Sequence, residues 1–326
     1  MPLIQLSDEQ IDKIVNLSRL LYLEPILSIL RYIFVTNYIQ NKEHAVSGGL
    51  VALPSRGKSE GFGVYGNSSP KFKLVNNITA YAIEKDLMPK IRRGEVSTLA
   101  ISDLTATLER AEATKKSFIN ILLGLTEEGI TYQKSYVSDV EVKKPIRLQF
   151  LYGITPDMLA RYMPSFVRSG FSTRFLYVSW DYTDEQVNAI LSNKIQQTRG
   201  SGVDKAVVPK GSREYFVTIP ESFNDRIKII GKSVVEETNY TYVVKKTVSG
   251  PNGNLIEKEK TVEVRVLDPV RTVRDLATVL RAICLCRYLD NDLPREEITV
   301  NEEDFAELMR ISYWLNLKRH TLTENL

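Results

Sequence analysis

A short stretch in the first fifth of the chain, ALPSRGKSEGF from Ala52 to Phe62, contains residues that could bind phosphate. Phosphate-cradling loops follow the pattern G-x-x-x-x-G-K-[ST]. Their backbone N–H groups face the phosphates, the lysine reaches the phosphate oxygens and the hydroxyl binds Mg²⁺. Gly57, Lys58 and Ser59 match the second half of this pattern, but Ala52 replaces its first glycine. The stretch predicts either a nucleotide-phosphate site or an ordinary basic turn at the surface.

An acidic residue that could complete such a site follows later in the chain. Asp103 ends the apolar stretch STLAISD and lies 103 − 58 = 45 residues after Lys58. A carboxylate at the end of a buried strand can bind Mg²⁺ beside a phosphate. It can equally cap the N-terminus of a following helix, so both interpretations of Asp103 stay open.

Composition narrows the class of protein. Of the 326 residues, 43% are hydrophobic and 25% are charged, as in globular proteins. The 43 basic and 40 acidic residues nearly balance, so binding to nucleic acid would need a local basic patch. The sequence has two histidines, His44 and His320, and two cysteines, Cys284 and Cys286, which argues against a histidine metal site, a catalytic triad or a disulfide framework. Because no apolar run could span a bilayer and no signal-peptide pattern is present, we expect a cytoplasmic protein without membrane contact.

The hydrophobic pattern predicts the elements that would position these residues. Buried strands are predicted at GGLVALP, STLAISD, IRLQFLYG and TRFLYVSW, and FKLVNNITAYAI fits a strand or, from Asn77 onwards, a helix. Helices are predicted at SDEQIDKIVNLSRLL and on to about Lys42, at KKSFINILLGLTEEG with Gly129 as its C-cap, and from TDEQVNAILSNKI. ITYQKSYVSDVEV and YTYVVKKTVSGPNGNLIEKEKTVEVRVL each predict a hairpin, and TVRDLATVLRAICLCRYL and NEEDFAELMRISYWL predict the final helices.

Strands that alternate with helices, followed by a smaller mixed region, predict an α/β fold with a three-layer core. We divide the chain into an N-terminal helical segment (1–45), an α/β core (46–195) and a C-terminal part (196–326). The C-terminal part comprises a linker rich in glycine, serine and lysine, a β-hairpin and helices.

The order of these motifs resembles AAA+ ATPases that carry a β-hairpin before the sensor 1 strand. It is most similar to the minichromosome-maintenance (MCM) helicases and more distantly to the bacterial enhancer-binding activators. STLAISDLT resembles their Walker B strand, INILLGLTEEGITYQKSYV the helix and hairpin that follow, and FLYGITP the sensor 1 strand. STRFLYVSWDYTDEQ resembles the MCM SRFD segment, and TVRDLATVLRAICLCR with ITVNEEDFAEL resembles the MCM lid. The resemblance covers roughly residues 46–187 and 270–312 and depends on the order and spacing of the motifs.

The resemblance implies a P-loop NTPase (AAA+) fold, with a mostly helical C-terminal lid that contains a β-hairpin insertion. It also implies ATP and Mg²⁺ as cofactors. Gly57 and Lys58 would bind the phosphates, and Ser59 and Asp103 would bind the metal ion.

Three further residues would act on the transferred phosphate. Thr155 stands where the family has its sensor 1 asparagine, Arg174 would be an arginine finger for a neighbouring subunit, and Arg274 would be the sensor 2 arginine. An arginine finger implies a head-to-tail interface, which closes into a homo-oligomeric ring, a hexamer in this family. From the residues alone, Arg174 could instead cap strand ends and Arg274 could be a solvated surface charge.

The first predicted hairpin carries a candidate DNA contact. Lys134 lies between Tyr132 and Tyr136 and matches the hairpin lysine with which MCM helicases touch DNA. A lysine neutralises phosphate and tyrosines stack on bases, and Lys143, Lys144 and Arg147 extend the basic tract. Without the resemblance, the same pattern is typical of an exposed hairpin with cross-strand tyrosines.

One departure from the family argues against rapid hydrolysis. The residue after the Walker B aspartate is normally a glutamate that polarises the attacking water, and here it is Leu104. Thr105, Glu109 or Glu112 could take over this task, although the motif indicates none of them.

Two hypotheses from different classes follow. The first is a ring-forming ATPase that acts on DNA as a helicase, a helicase loader or a replication initiator. The second is a degenerate AAA+ module that serves as a nucleotide- or DNA-binding assembly scaffold without significant ATPase activity. A third, an activator or remodeller of other proteins, needs no DNA contact.

Overall fold

The computed structural model describes residues 23–134, 139–189, 208–209, 213–249, 255–294 and 297–317. The helix predicted at SDEQIDKIVNLSRLL lies outside these residues, as do most of the predicted linker and the turn of the second hairpin.

The central sheet is parallel, and a hairpin is inserted between two of its strands. In chain order these strands are β1 (Ser47–Val51), β2 (Phe72–Val75), β3 (Thr98–Ile101), β4 (Ile130–Lys134), β5 (Asp139–Ile146), β6 (Gln149–Ile154) and β7 (Phe175–Ser179). In the described part of the chain, five strands form the sheet in the order β2–β3–β6–β1–β7, and all their pairings are parallel. Every residue of β1, β3, β6 and β7 is buried, so both faces of the sheet are covered. The predicted α/β fold is confirmed, and the structure shows that its sheet is parallel.

Helices occupy the connections between these strands. They are α1 (Glu24–Val35), α2 (Lys58–Ser68), α3 (Ala80–Ala82, Ile83–Leu87 and Met88–Arg92), α4 (Thr105–Leu108), α5 (Glu112–Leu123, continued as a π-helix over Gly124–Glu128) and α6 (Pro156–Ser169). The pattern did not predict α6, although Pro156 at its first turn and Gly170 after its end, at φ 71°, are typical helix boundaries. The ambiguous stretch FKLVNNITAYAI contains both alternatives, because β2 ends at Val75 and α3 begins at Ala80.

The prediction that the N-terminal helix extends to about Lys42 is wrong. The α-helix stops at Val35 and gives way to a 3₁₀ turn, Thr36–Tyr38. Thr36 Oγ1 donates to the Ile33 carbonyl and accepts from the Val46 N–H at 3.0 Å. Polar side chains that bond the local backbone in this way compete with helix continuation.

The hairpin β4–β5 is inserted between α5 and β6, as predicted. The C-terminal part contains β8 (Val217–Thr218), α7 (Asn224–Glu236), β9 (Tyr240–Ser249), β10 (Leu255–Val264), α8 (Pro269–Asp290), β11 (Ile298–Thr299) and α9 (Glu302–Ser312). The second predicted hairpin is the antiparallel pair β9–β10, and the two final helices are present. The sequence pattern did not predict α7.

The long helix α8 connects the C-terminal part to the beginning of the described chain. It packs against α1, α7 and α9. The Arg31 guanidinium of α1 pairs with both oxygens of Asp290 at 2.6 and 2.7 Å, and the Tyr32 hydroxyl donates to Glu307 at 2.8 Å. One apolar core therefore includes side chains from α1, the sheet and the C-terminal helices. Within the described ranges, no helix is both long and apolar enough to cross a membrane.

Candidate functional site

The sheet topology marks one place where a ligand would bind. β1 and β6 are neighbours in the sheet, but their connections run in opposite directions. The chain goes from β1 to β2 at one edge of the strand order and from β6 to β7 at the other. In open parallel sheets, ligands bind at such a switch point, outside the carboxyl ends of the strands. We call this end of the sheet the carboxyl edge and the opposite end the amino edge.

The loop of residues 52–57 between β1 and α2, which the sequence predicts to bind phosphate and which we call the phosphate loop, lies at this switch point. Gly57 has a φ of 86° and Ser55 a φ of 61°, both left-handed. The backbone N–H groups of residues 55–60 donate no hydrogen bond to any other described residue. Such a run of free N–H groups at a helix N-terminus can bind an anion, and the helix dipole favours the negative charge.

The two glycine positions of the pattern differ in their backbone requirements. Ala52 has no positive φ, and its N–H donates to the Ile154 carbonyl at 3.3 Å, so an alanine fits at the end of β1. At Gly57 any side chain would be strained by the φ of 86°, and a Cβ would also displace Cδ1 of Leu23, which lies 2.2 Å from its position. The replacement of the first glycine therefore leaves the loop conformation intact.

Lys58 is folded back over the phosphate loop. Its Nζ donates to the Leu53 carbonyl at 2.9 Å and to the Ala52 carbonyl. Burial lowers the pKa of Lys58 to about 8, an effect that the nearby carboxylates of Asp103 and Glu60 oppose. Backbone carbonyls thus hold the ammonium group in a partly dehydrated position. A bound phosphate could replace these carbonyls as the hydrogen-bond acceptor of the ammonium group.

The structure brings Asp103 and Ser59 to the same edge as Lys58. Asp103 follows β3, and its Oδ1 accepts from the Thr105 N–H at 2.9 Å, so this carboxylate supports the start of α4. Its second oxygen and the Ser59 hydroxyl make no hydrogen bond to a described residue, and both side chains are exposed. Mg²⁺ beside phosphates usually takes one or two protein oxygens, so this pair fits that ion. No group of three or more metal-ligating side chains occurs in the described chain.

Gly153 of β6 contributes to the site and was missed by sequence reasoning. A Cβ there would lie 2.2 Å from the Ser102 carbonyl oxygen and 3.3 Å from Cδ of Lys58. The lysine side chain and the end of β3 can approach β6 only because this position has no side chain. A glycine inside the buried stretch FLYGIT was the available signal.

Leu104 lies in the core at the position where the family resemblance expects a catalytic glutamate. Its side chain is fully buried, and its N–H donates to the Gly153 carbonyl at 2.8 Å. Glu109 and Glu112 are exposed, and no described contact joins either of them to Lys58 or Asp103. Position 104 is therefore a core position, where an ionised carboxylate would be buried.

Thr155 directly follows β6 and begins α6 without capping it by its side chain. It lies at the carboxyl edge together with the phosphate loop, and its sensor role stays a prediction.

A second group that sequence reasoning missed fixes the middle of the phosphate loop. The Arg56 Nε donates to Asp181 at 2.8 Å, and its guanidinium lies 5.6 Å from the ring centre of Tyr182. The Arg56 carbonyl accepts from the Trp180 indole at 3.1 Å and from the Tyr182 hydroxyl at 3.3 Å. The polar and aromatic residues after β7, SWDY, were the signal for this contact.

The two predicted catalytic arginines lie at the amino edge. Among the described residues, three arginines surround the carboxylate of Glu127: Arg174 at 3.3 Å, Arg271 at 3.2 Å and Arg274 at 3.2 Å. We call these four residues the Glu127 cluster. Arg174 directly precedes β7, and no described contact joins Arg174 or Arg274 to Lys58 or Asp103. Within one chain, the predicted site residues therefore form two separate groups.

The arginines of the Glu127 cluster differ in how well their hydrogen bonds and ion pairs are satisfied. Arg274 also pairs with Glu43 at 2.7 Å; burial acts to lower its pKa, but neighbouring carboxylates raise the pKa above its usual value. Arg174 donates to the Gly170 carbonyl at 2.7 Å and pairs with the exposed Glu128 at 3.1 Å. Its buried Nε and the facing oxygen of Glu127 have no hydrogen-bond partner among the described residues. Arg174 thus bonds the carbonyl at the end of α6, whereas its alternative interpretation was the capping of strand ends.

The predicted DNA contact, Lys134, lies on strand β4, and the structure describes only its backbone. Lys134 pairs with Asp139 in the hairpin β4–β5, and its side chain lies outside the described ones, as does Tyr136. Tyr132 is 64% exposed on the same strand. The hairpin is present, and its contact with DNA stays a prediction.

A scan against models of protein families finds no match to this chain, and a search of curated proteins finds no relative.

Proposed function

We propose that the chain binds ATP at the carboxyl edge, with the phosphates on the phosphate loop and Lys58 and with Mg²⁺ on Ser59 and Asp103. The observation that carries this proposal is the row of N–H groups at residues 55–60 without a partner among the described residues, beside a partly dehydrated lysine and a carboxylate. This combination of donors and charges suits a metal-bound triphosphate and lies at the topological switch point.

ATP binding in this proposal serves an AAA+ ring of MCM-like type that acts on DNA. In such a ring, Arg174 of one subunit reaches the nucleotide of its neighbour. Because Arg174 is bound to Glu127 and Glu128 within its own chain, ring assembly has to exchange these carboxylates for the neighbour's phosphates. The imperfect pairing of the Arg174 Nε with Glu127 lowers the cost of that exchange.

Hydrolysis in the proposed ring is slow. Leu104 cannot polarise water, so the barrier is lowered only by positioning and by the cations around the phosphate. Thr155, at the end of β6, orients the water or the terminal phosphate more weakly than an asparagine amide does.

The first experiment measures ATP affinity by titration calorimetry in the presence of Mg²⁺. Replacing a charged hydrogen-bond donor to phosphate costs about 2–3 kcal/mol, so Lys58→Ala is expected to weaken binding by about 100-fold. Lys116→Ala, an exposed lysine of α5, is the matched control and should leave the affinity unchanged. Equal ATP affinity of wild type and Lys58→Ala would refute the site.

A mixing experiment tests the ring. Lys58→Ala and Arg174→Ala should each abolish turnover alone, and a mixture should recover part of it, because some interfaces then pair an intact loop with an intact finger. Single-stranded DNA should stimulate wild-type turnover, and Lys134→Ala should remove that stimulation. A mixture as inactive as either variant contradicts an arginine finger that acts between subunits.

The buried Leu104 favours one alternative function, an assembly scaffold of AAA+ type without significant turnover. The two functions separate when turnover and oligomer mass are measured together, with and without DNA. The scaffold is supported if the wild-type protein shows no ATP turnover and if Lys58→Ala forms an oligomer of the same mass as wild type.

A further inference from the structure

A cavity of about 710 Å³ opens at the amino edge of the sheet, at the end opposite the phosphate loop. Segments that precede β1, β2, β3 and β6 form its walls. Its volume lies within the range of about 300–1,000 Å³ that is usual for small-molecule sites. Neither the proposed ATP site nor the predicted DNA contact accounts for it.

The charged side chains that line this cavity are mostly cationic. Among the described lining residues, the basic ones are Lys42, Lys71, Arg92, Lys144 and Arg147, and the acidic ones are Glu43 and Glu214. The Glu43 carboxylate is already paired with Arg274 at 2.7 Å. The cavity therefore has an excess of positive charge, although the chain as a whole carries a formal charge of only +3.

Lys42 shows how this excess charge is arranged. Its Nζ donates to the Asn37 carbonyl at 3.0 Å and lies 3.5 Å from Glu214. Burial lowers the pKa of Lys42, Glu214 raises it, and the nearby cations Lys144 and Arg147 lower it further. Like charges held this close repel one another, and a bound anion would relieve that repulsion.

Other polar groups in the cavity have no ion-pair or side-chain hydrogen-bond partner in the described chain. Arg92 and Lys144 are exposed and form no ion pair, and Lys71 has only the face of Tyr38, with Nζ 5.8 Å from the ring centre. The Ser97 hydroxyl oxygen is buried and makes no hydrogen bond to a described residue. These groups are available as donors to a ligand.

We infer that this cavity is an anion-binding site for a compact phosphorylated small molecule with at least two negative charges. The cavity extends from the exposed Arg92 and Lys144 to the buried Tyr38 and Gln149, which are 3% and 1% exposed. A recess of this depth suits a small ligand better than a nucleic-acid strand, which would lie across the surface. The inference does not depend on the proposed ATP site.

The test uses the full chain with Lys58→Ala, which disables the phosphate loop, and titrates inorganic tripolyphosphate by calorimetry at low salt. Tripolyphosphate should still bind. Adding Arg92→Ala and Lys144→Ala together should weaken its binding about tenfold, since two exposed charge contacts each contribute roughly 0.7 kcal/mol. Lys90→Ala with Lys116→Ala, two exposed lysines that do not line the cavity, is the matched control and should leave the affinity unchanged.

Three results would overturn the inference. One is that tripolyphosphate fails to bind the Lys58→Ala chain, and another is that the control pair weakens binding as much as Arg92→Ala with Lys144→Ala. The third is that a single-stranded oligonucleotide binds more tightly than tripolyphosphate and loses affinity on the same two substitutions, which would indicate a strand-binding surface. Because the ATP test measures Lys58 and this test removes it, either proposal can fail without the other.

Discussion

The carboxyl edge and the Glu127 cluster at the amino edge differ in whether their cationic groups are already paired with a carboxylate. At the carboxyl edge, Lys58 is held by backbone carbonyls and the N–H groups of residues 55–60 have no partner in the described chain. At the amino edge, Arg174, Arg271 and Arg274 already have a carboxylate in Glu127. The first arrangement gains by binding an anion, whereas the second must first break ion pairs. A positive residue in a motif is therefore available for chemistry only where the fold leaves it unpaired.

The largest expected effect tests whether the carboxyl edge can accept the missing glutamate. Leu104→Glu should lower the free energy of unfolding by about 4 kcal/mol, because it buries a carboxyl group without a partner. Urea unfolding measures the loss, and Leu104→Met, which keeps the volume, should cost less than about 1.5 kcal/mol. If Leu104→Glu were as stable as wild type and hydrolysed ATP faster, packing would not be what prevents a glutamate at this position.

The next effect tests whether the Glu127 cluster is structural. Glu127→Ala should cost about 3 kcal/mol of stability, because it leaves the mostly buried Arg174 without its inner carboxylate. Glu128→Ala is the matched control, since Glu128 also pairs with Arg174 but is 73% exposed, and should cost less than about 1 kcal/mol. Equal losses in thermal unfolding for the two variants would remove the distinction between the inner and outer carboxylates.

A third prediction concerns the backbone of the phosphate loop. Gly57→Ala should cost about 2 kcal/mol, from the positive φ and from the contact of the new Cβ with Leu23. ATP affinity should fall with it, because the N–H groups of the loop are displaced. Gly63→Ala, inside α2 with open space around its Cβ, should instead stabilise the chain by up to about 1 kcal/mol. If both substitutions changed the unfolding midpoint alike, the loop would not need its left-handed glycine.

The smallest effect is the pH dependence of ATP binding. Since burial lowers the pKa of Lys58 to about 8, the free protein loses the ammonium charge above that pH, and binding must then restore a proton. Affinity should fall by about tenfold per pH unit above 8 and be flat in Lys58→Ala. The folded-state pKa lies below the unfolded value of 10.5, so the contribution of Lys58 to stability should rise from about pH 8 to 10.5. A wild-type affinity that stays constant up to pH 10 would mean that Lys58 does not contact the phosphates.

Local patterns predicted much of the fold and half of the candidate site. Most strands of the sheet are largely apolar runs, and the hairpin β4–β5 alternates around a turn, so each is encoded within a few residues. The phosphate loop was predicted for the same reason, because Gly57, Lys58 and Ser59 are adjacent. The helix α6 was missed although Pro156 and Gly170 mark its ends, since its apolar residues did not stand out.

The remaining features depend on contacts between distant parts of the chain. Glu127 and Arg274 lie 147 positions apart, and no local pattern relates a carboxylate before a hairpin to an arginine near the start of a C-terminal helix. Gly153 matters only because β3 and Lys58 approach β6 at that point. The cavity at the amino edge is likewise formed by segments from four connections of the sheet.

The sequence by itself predicted the α/β fold, the hairpins and the loop between β1 and α2, because apolar periodicity and backbone preferences act over a few residues. Only the tertiary structure decided which charged groups remain available. Packing encloses Leu104 where a glutamate was expected, pairs Arg174 and Arg274 with Glu127, and leaves the N–H groups beside Lys58 without a partner in the described chain. Pairing and burial of a charge depend on which neighbours the fold brings within a few ångströms, and that information is not contained in any single stretch of sequence.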